Sequence, residues 1–351
     1  MPGFVAPPQP ITVTGRFSEP LLLLCTAGLL LVAPDYEGLD PWLLEARQQL
    51  DAIALDDLQT TYVTAGGLFR IVEAVVGAVD AALLDSPAES FLEALEQVST
   101  ETWACWLRHA LAQGDGVPPS DLQDTQAVVA YLRHQPHPPA DPLAAAQLIL
   151  QPERHQERFC RGLRAFWRTA YADVYAANAA LLQRSADRLV AQNYHLPFRR
   201  LFLTITGRPL PPSLDRFADT LTSVECIPSP HLGPYVVYLR HGTHLRLFYN
   251  ARLAAQPSIS QENELLALYP PLKALGDETR LQIVSLLQGR EKYAQEIVNA
   301  LDISQAAVSR HLKLLVSSGV LSVRKEGGNK FYRLNQETFR RLAAVLRHFG
   351  E

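Results

Sequence analysis

Residues 304–334 read SQAAVSRHLKLLVSSGVLSVRKEGGNKFYRL. The first half has the spacing of an amphipathic helix. A helix turns about 100° per residue, so with Val308 as origin Leu312 and Leu315 fall within about 40°, His311 lies about 60° away, and Ser309, Lys313, Ala306 and Arg310 occupy the arc from about 100° to 200°. One face is apolar. The other is small, polar and basic, and no acidic residue occurs from Ser304 to Arg324. Such a face suits a DNA major groove: small side chains allow close approach, hydroxyls and Gln305 reach base edges, and an arginine forks onto guanine. A solvated amphipathic helix has the same pattern, so the second half of the stretch carries the difference. Val320–Lys325 reads as a strand, Glu326–Asn329 as a glycine turn and Lys330–Leu334 as the return strand. This hairpin carries Arg324, Lys325, Asn329, Lys330 and Arg333 with Tyr332 among them. That is the composition of a basic wing, which lies along phosphates or enters a minor groove.

Upstream, Asp277 is placed to cap a helix over 278–288 that Gly289 closes. A second helix over about 293–301 ends in a tight turn at Asp302–Ile303, and Ser304 caps the third, which runs to about Ser317. Two short helices joined by a turn of about three to four residues form a helix-turn-helix. A last amphipathic helix, Gln336–Phe349, has Phe339, Leu342, Val345, Leu346 and Phe349 as its stripe.

The stretches LKALGDETRLQIVSLLQG, EIVNALDISQAAVSRHLKLLVSSGVL and RKEGGNKFYRL resemble the ArsR/SmtB winged helix-turn-helix repressors over about residues 265–340. The resemblance implies a dimeric repressor that binds an inverted repeat of double-stranded DNA and is released by a signal. Many members place a Cys-x-Cys pair where this chain has Tyr293-Ala-Gln-Glu296, and the last helix, where others hold Asp and His ligands, offers only His348. No metal and no cofactor is therefore expected there. Ser304, Gln305, Ala306, Ser309, Arg310 and Lys313 are expected at the major groove or its phosphates, and Arg324, Lys325, Asn329, Lys330 and Tyr332 to act from the wing. His311 is read as a packed or hydrogen-bonded histidine, and Arg280 as a structural or phosphate partner rather than a base reader.

At 351 residues, with 48% apolar and 19% charged residues, the chain has an ordinary globular composition and the length of about two domains. Its net charge of −4 hides an asymmetry. Residues 265–351 hold 13 basic and 8 acidic residues, net +5, whereas residues 1–100 hold 3 and 14, net −11; all five lysines lie at or beyond Lys273. A basic C-terminal module points to a polyanion. The acidic first hundred residues are then expected to lie against the wing in one state, mimicking DNA. Cys25, Cys105, Cys160 and Cys226 are too widely spaced for a cysteine metal site or disulfide framework, which fits a reducing cytoplasm. Leu21–Ala33 is apolar, but thirteen helical residues span about 20 Å against a hydrocarbon core of about 30 Å, so a buried core helix is expected and not a membrane span.

Between Glu19 and about His195 the pattern is helical, broken at Pro34–Pro41, Gly66–Gly67, Ser86–Pro87, Gly114–Pro119, Pro136–Pro142 and Pro152, giving about eight helices. Strands are expected at Ile11–Phe17, Leu201–Thr206, Ser223–Ile227, Tyr235–Arg240 and Leu245–Tyr249, with His241–His244 as a hairpin turn, and a linker at Leu253–Gln261. The fold class is therefore α+β, mainly helical: a large N-terminal helical domain with a small antiparallel sheet over 1–258, then a winged helix-turn-helix over 259–351. Cys226–Pro234 and its hairpin are similar to the N-terminal domain of some large ArsR-type regulators, which implies architecture but no mechanism.

No nucleotide-loop, nucleophile-elbow or zincin motif occurs, so no catalytic residue is assigned and no enzyme is expected. The pairs His134/His137 and His241/His244 supply two ligands each, too few for a metal site. Asp56, Asp57, Glu93 and Glu96 read as acidic surface, and Phe166, Trp167, Tyr171 and Tyr175 as core packing. The expectation is a cytoplasmic, homodimeric, DNA-binding repressor, with a small-molecule or protein effector at the N-terminal domain and no membrane partner. The alternative is an enzyme or ligand-binding protein in 1–258 with the winged helix as an appendage.

Overall fold

A computed structural model describes residues 11–112, 124–135, 138–191, 196–208, 210–254, 268–326 and 329–348. The expected break at Gly114–Pro119, His137, the domain boundary at 258/259, the wing glycines Gly327 and Gly328, and Phe349 lie outside the described residues, as do the side chains of Lys325, Asn329, Val345 and His348.

Strand β1 (Thr12–Gly15) is followed by helices α1 (Glu19–Val32), α2 (Trp42–Gln49), α3 (Ala52–Val63), α4 (Arg70–Ala78), α5 (Ala88–Glu96), α6 (Thr100–Ala112), α7 (Thr125–Arg133), α8 (Pro142–Ile149), α9 (Pro152–Phe166) and α10 (Ala172–Ala191). Where about eight helices are expected, ten form among the described residues. Asp51 starts α3 by accepting the Ala54 N–H at 2.7 Å, a boundary with no glycine or proline to mark it. Helix α1 is the apolar run. Leu21, Leu22, Leu23 and Leu24 are each fully buried, so a helix apolar all round is explained by burial all round. No helix among the described residues is long and apolar enough to cross a membrane.

A π turn at Trp167–Tyr171 joins α9 to α10. Its extra residue per turn carries both Trp167 and Tyr171 inward, where Tyr171 stacks on Phe166 at 5.3 Å. Phe166 and Tyr171 are fully buried, and Trp167 and Tyr175 nearly so, as core packing requires. Asp57 departs from expectation. Its carboxylate is buried, not surface, and accepts from Arg158 Nε at 2.8 Å and Arg161 Nε at 2.7 Å. Its neighbour Asp56 is exposed, as are Glu93 and Glu96.

Next come α11 (Phe198–Thr206), α12 (Pro212–Asp215), β2 (Ser223–Ser229), β3 (Val237–His241), β4 (His244–Asn250) and α13 (Ala251–Ala254). The expected strand at Leu201–Thr206 is helix α11 instead. Phe198, Leu201, Phe202 and Ile205 make one buried helical stripe, a spacing of three and four that the short window LFLTIT conceals. The N-terminal sheet has the order β1-β2-β4-β3. It is mixed and not antiparallel: β1, β2 and β4 run parallel, and only β3 opposes β4. The reason is burial on both faces. Ile227 and Phe248 join the helical core, while Val224, Cys226, Leu245, Leu247 and Tyr249 join a second core with α11.

The C-terminal elements are α14 (Tyr269–Leu275), α15 (Glu278–Leu286), β5 (Lys292–Tyr293), α16 (Ala294–Leu301), α17 (Gln305–Ser317), β6 (Leu321–Glu326), β7 (Asn329–Leu334) and α18 (Gln336–His348). They share a third core around Ile283, Ile297, Val308, Leu312 and Leu315. The strands form a second sheet, order β5-β7-β6. Strand β5 escapes sequence reading because it is two residues long.

Candidate nucleic-acid interface

The caps set the helices at this site. Asp277 accepts the Arg280 N–H at 2.9 Å, and Ser304 accepts the Ala307 N–H at 3.2 Å. Gly289 takes φ +84°, which a side chain would resist. Asp302 closes α16 in the left-handed region at φ 53°, making the sharp turn into α17. Val308, Leu312 and Leu315 are buried against the core. Ser304, Gln305, Ala306, Ser309 and Arg310 are exposed together along the other side.

The wing hairpin pairs β6 with β7 in register from Leu321↔Leu334 to Glu326↔Asn329. Lys330 is exposed. Tyr332 is half-buried, and burial raises its hydroxyl pKa. Arg324 is not free to reach outward. Its Nε donates to Glu291 at 2.8 Å, its guanidinium lies 4.6 Å from the Phe331 ring centroid, and the hydrogen bond from Arg324 holds Glu291 below its usual pKa. Arg333 Nε donates to Ser322 Oγ at 3.1 Å. The backbones of Lys325 and Asn329 take their places in the hairpin.

Lys313 departs from the other positions expected at the groove. It is half-buried, with Nζ 4.2 Å from the ring centroid of Tyr36. Arg280 Nη1 donates to Glu37 Oε2 at 3.0 Å, and its Nε bonds the Ala274 carbonyl, so it is structural as expected. His311 is packed; its Nδ1 lies 3.8 Å from Glu37 Oε2 without a hydrogen bond. The N-terminal region therefore touches the helix-turn-helix through residues 36–38 and through Tyr235, which meets Ser317. Among the described residues of the acidic first hundred, the carboxylate brought to α15 and α17 is Glu37, and no ion pair to the wing is formed in this state.

The 36–40 loop is held from beneath. His231 Nδ1 meets Asp40 Oδ2 at 3.0 Å, and Tyr235 donates to the Glu37 carbonyl at 2.6 Å. A Cβ on Gly233 would come within 1.8 Å of the Gly38 carbonyl oxygen, and its φ is +53°, so only glycine permits this approach. None of these contacts was visible in sequence, because their partners lie about two hundred residues apart.

The last helix buries Leu342, but Leu346 stands open, as do Tyr269, Leu272 and Leu281 on α14 and α15. Among the described residues no group of three His, Cys, Asp or Glu could hold a metal ion. Cys25, Cys160 and Cys226 are buried thiols and Cys105 is exposed, all free.

Residues 277–323 match the family model described as bacterial regulatory protein, arsR family. The chain is 36% identical over 75 residues to the transcriptional activator HlyU of Vibrio cholerae, covering 21% of this chain and 69% of that protein. It is 50% identical over 64 residues to the arsenical resistance operon repressor of Escherichia coli, covering 18% of this chain and 55% of that one. A solved structure of reduced HlyU from Vibrio cholerae aligns at 33% identity and a TM-score of 0.22, covering 26% of this chain and 100% of that one.

Proposed function

The chain belongs to the ArsR family of DNA-binding transcriptional regulators, and from that premise we propose that it is a cytoplasmic repressor that binds an inverted-repeat operator as a homodimer and acts by binding rather than catalysis. The observation that carries the reading is the joint exposure of Gln305, Ala306, Ser309 and Arg310 on the outer face of a capped third helix beside a basic hairpin. Arg310 reads a base edge, Ser309 and Gln305 flank it, and Ala306 allows the backbone close approach. Ser304 and Lys330 contact phosphates, with Lys325 and Asn329 near the wing tip. Tyr332 packs the wing in place. Arg324 acts as its strut and reaches phosphate only by leaving Glu291. Lys313 reaches DNA only by leaving Tyr36. The open side chains Tyr269, Leu272, Leu281 and Leu346 are the surface for the second copy, since large apolar groups gathered on one small domain mark interaction sites. Repression follows the name of the Escherichia coli relative; the Vibrio cholerae relative is named an activator, so a promoter fusion decides the direction.

The direct test is binding of the full chain to DNA from its own upstream region beside a random duplex, across a salt series. Preference of about 10³ or more with a steep salt slope supports the reading. Equal, shallow binding to both overturns it. Within that assay, Lys330→Ala should weaken both duplexes alike and lower the salt slope by about one. Tyr36→Ala should do the opposite and tighten binding several-fold, because releasing the ring frees Lys313 from a cation–π contact of about 0.5–2 kcal/mol.

A further inference from the structure

Between the wing, α17 and the N-terminal region lies a cleft of about 1240 Å³. Its walls come from both sides. Tyr36, Arg208, Tyr235 and Tyr238 line it from the N-terminal region, and Ser309, Lys313, Lys330 and Arg333 from the helix-turn-helix and wing, with Lys313 meeting Tyr36 where the two walls touch. Small-molecule sites run from about 300 to 1,000 Å³, so this larger cleft has room for such a ligand with solvent beside it.

The lining is unbalanced in charge. Arg208, Lys313, Lys330 and Arg333 have no carboxylate within ion-pair distance among the described residues. The two acids in the lining are engaged, Glu291 by Arg324 and Glu337 by Arg340. Arg208 is the most enclosed of the cations. The residue as a whole is half-buried, but its Nε is sealed from solvent without a hydrogen-bond partner, while Nη1 donates to the Pro234 carbonyl. Burial lowers its pKa to about 10. A largely buried cation with no carboxylate on it favours an anion at the part of its guanidinium that lines the cleft, which restores the lost solvation. The tyrosine rings around it favour a planar apolar body.

We propose that this cleft binds a small organic anion with an aromatic body, its acidic group on Arg208 and its ring among Tyr36, Tyr235 and Tyr238, and that this ligand competes with DNA. The competition rests on the reading of Ser309, Lys313 and Lys330 as DNA-facing, because these residues line the cleft too. Ligand and duplex then draw on the same side chains in two arrangements of the domains. Linkage requires each to weaken the other by the same factor.

The probe is 8-anilinonaphthalene-1-sulfonate, read by its fluorescence on full-length protein, beside the uncharged N-phenyl-1-naphthylamine and inorganic sulfate. The sulfonate should bind saturably and much tighter than either control. Arg208→Gln should raise its Kd about tenfold, a loss in the range of one charged hydrogen bond. Ser213→Trp, which fills the cleft from the N-terminal wall, should also raise it, and serves where the arginine variant melts early. Near-UV circular dichroism checks that each variant is folded. Saturating upstream duplex should weaken the sulfonate by the factor by which saturating sulfonate weakens the duplex. Equal binding of the neutral analogue, or an unchanged Kd in both folded variants, overturns the site. Sulfonate binding that depends on Arg208 but is indifferent to a duplex the protein does bind overturns the competition. Absence of any specific duplex binding overturns the DNA reading and the competition with it, while the Arg208 arm still decides the site.

Discussion

Asp57→Ala is expected to lower the unfolding free energy of the helical body by about 3–5 kcal/mol, the loss found when one partner of a buried ion pair is removed. Asp57 lies on α3 and is 1% exposed. Across the α3–α9 contact it accepts from Arg158 and Arg161. The two arginines are not equivalent. Arg161 is 47% exposed at its side chain and rehydrates when the carboxylate goes, whereas Arg158 is 16% exposed and keeps only Asp56 and Thr60 at its outer edge. The cost therefore falls on Arg158. Asp56→Ala is the control, because its carboxylate is 70% exposed and an exposed pair contributes about 0–1 kcal/mol. Urea unfolding followed through the near-UV signal of Trp103 and Trp106, both in the same core, measures the difference. Equal losses for the two variants would mean that the buried carboxylate organises nothing.

Arg310→Ala is expected to cost about 1–3 kcal/mol on the upstream operator and to relax preference at one base position, while random DNA binds nearly as before. The side chain is exposed and makes no hydrogen bond or ion pair among the described residues, so its removal should leave stability within about 0.5 kcal/mol. Titration of operator, single-base variants and a random duplex measures it. A loss equal on all of them would move Arg310 from base reader to phosphate contact.

These two residues mark the limit of sequence reading. The exposure of Arg310 could be read from sequence because it is set locally. Its angle from Val308, Leu312 and Leu315 follows from the helical repeat, and its neighbours within one turn decide what the face can touch. The caps Asp277 and Ser304, the turn at Asp302, and the wing strands are legible for the same reason: each is settled by residues within a few positions. Asp57 had no such context. Its partners lie about a hundred residues on, and an isolated Asp-Asp pair reads as surface until α9 is laid over α3. Leu201–Thr206 failed differently. Six residues are too few to separate a period of 2 from one of 3.6, and only the stripe beginning at Phe198 shows the helix.

Composition, charge asymmetry and short-range pattern thus determined the class of the chain, the winged helix, its outward face and the apolar helix α1. Tertiary structure alone decided that β1 pairs in parallel with β2, that Asp57 is inside, that Arg324 is tied to Glu291, and that Tyr36 and Glu37 rest on α17 and α15. The physical reason is the range of the forces concerned. Helix caps, turns and amphipathic faces are set by atoms a few residues apart, whereas a buried charge or a domain contact exists only once the chain has closed loops of a hundred residues or more. The recognition helix belongs to the first kind and the cleft beside it to the second.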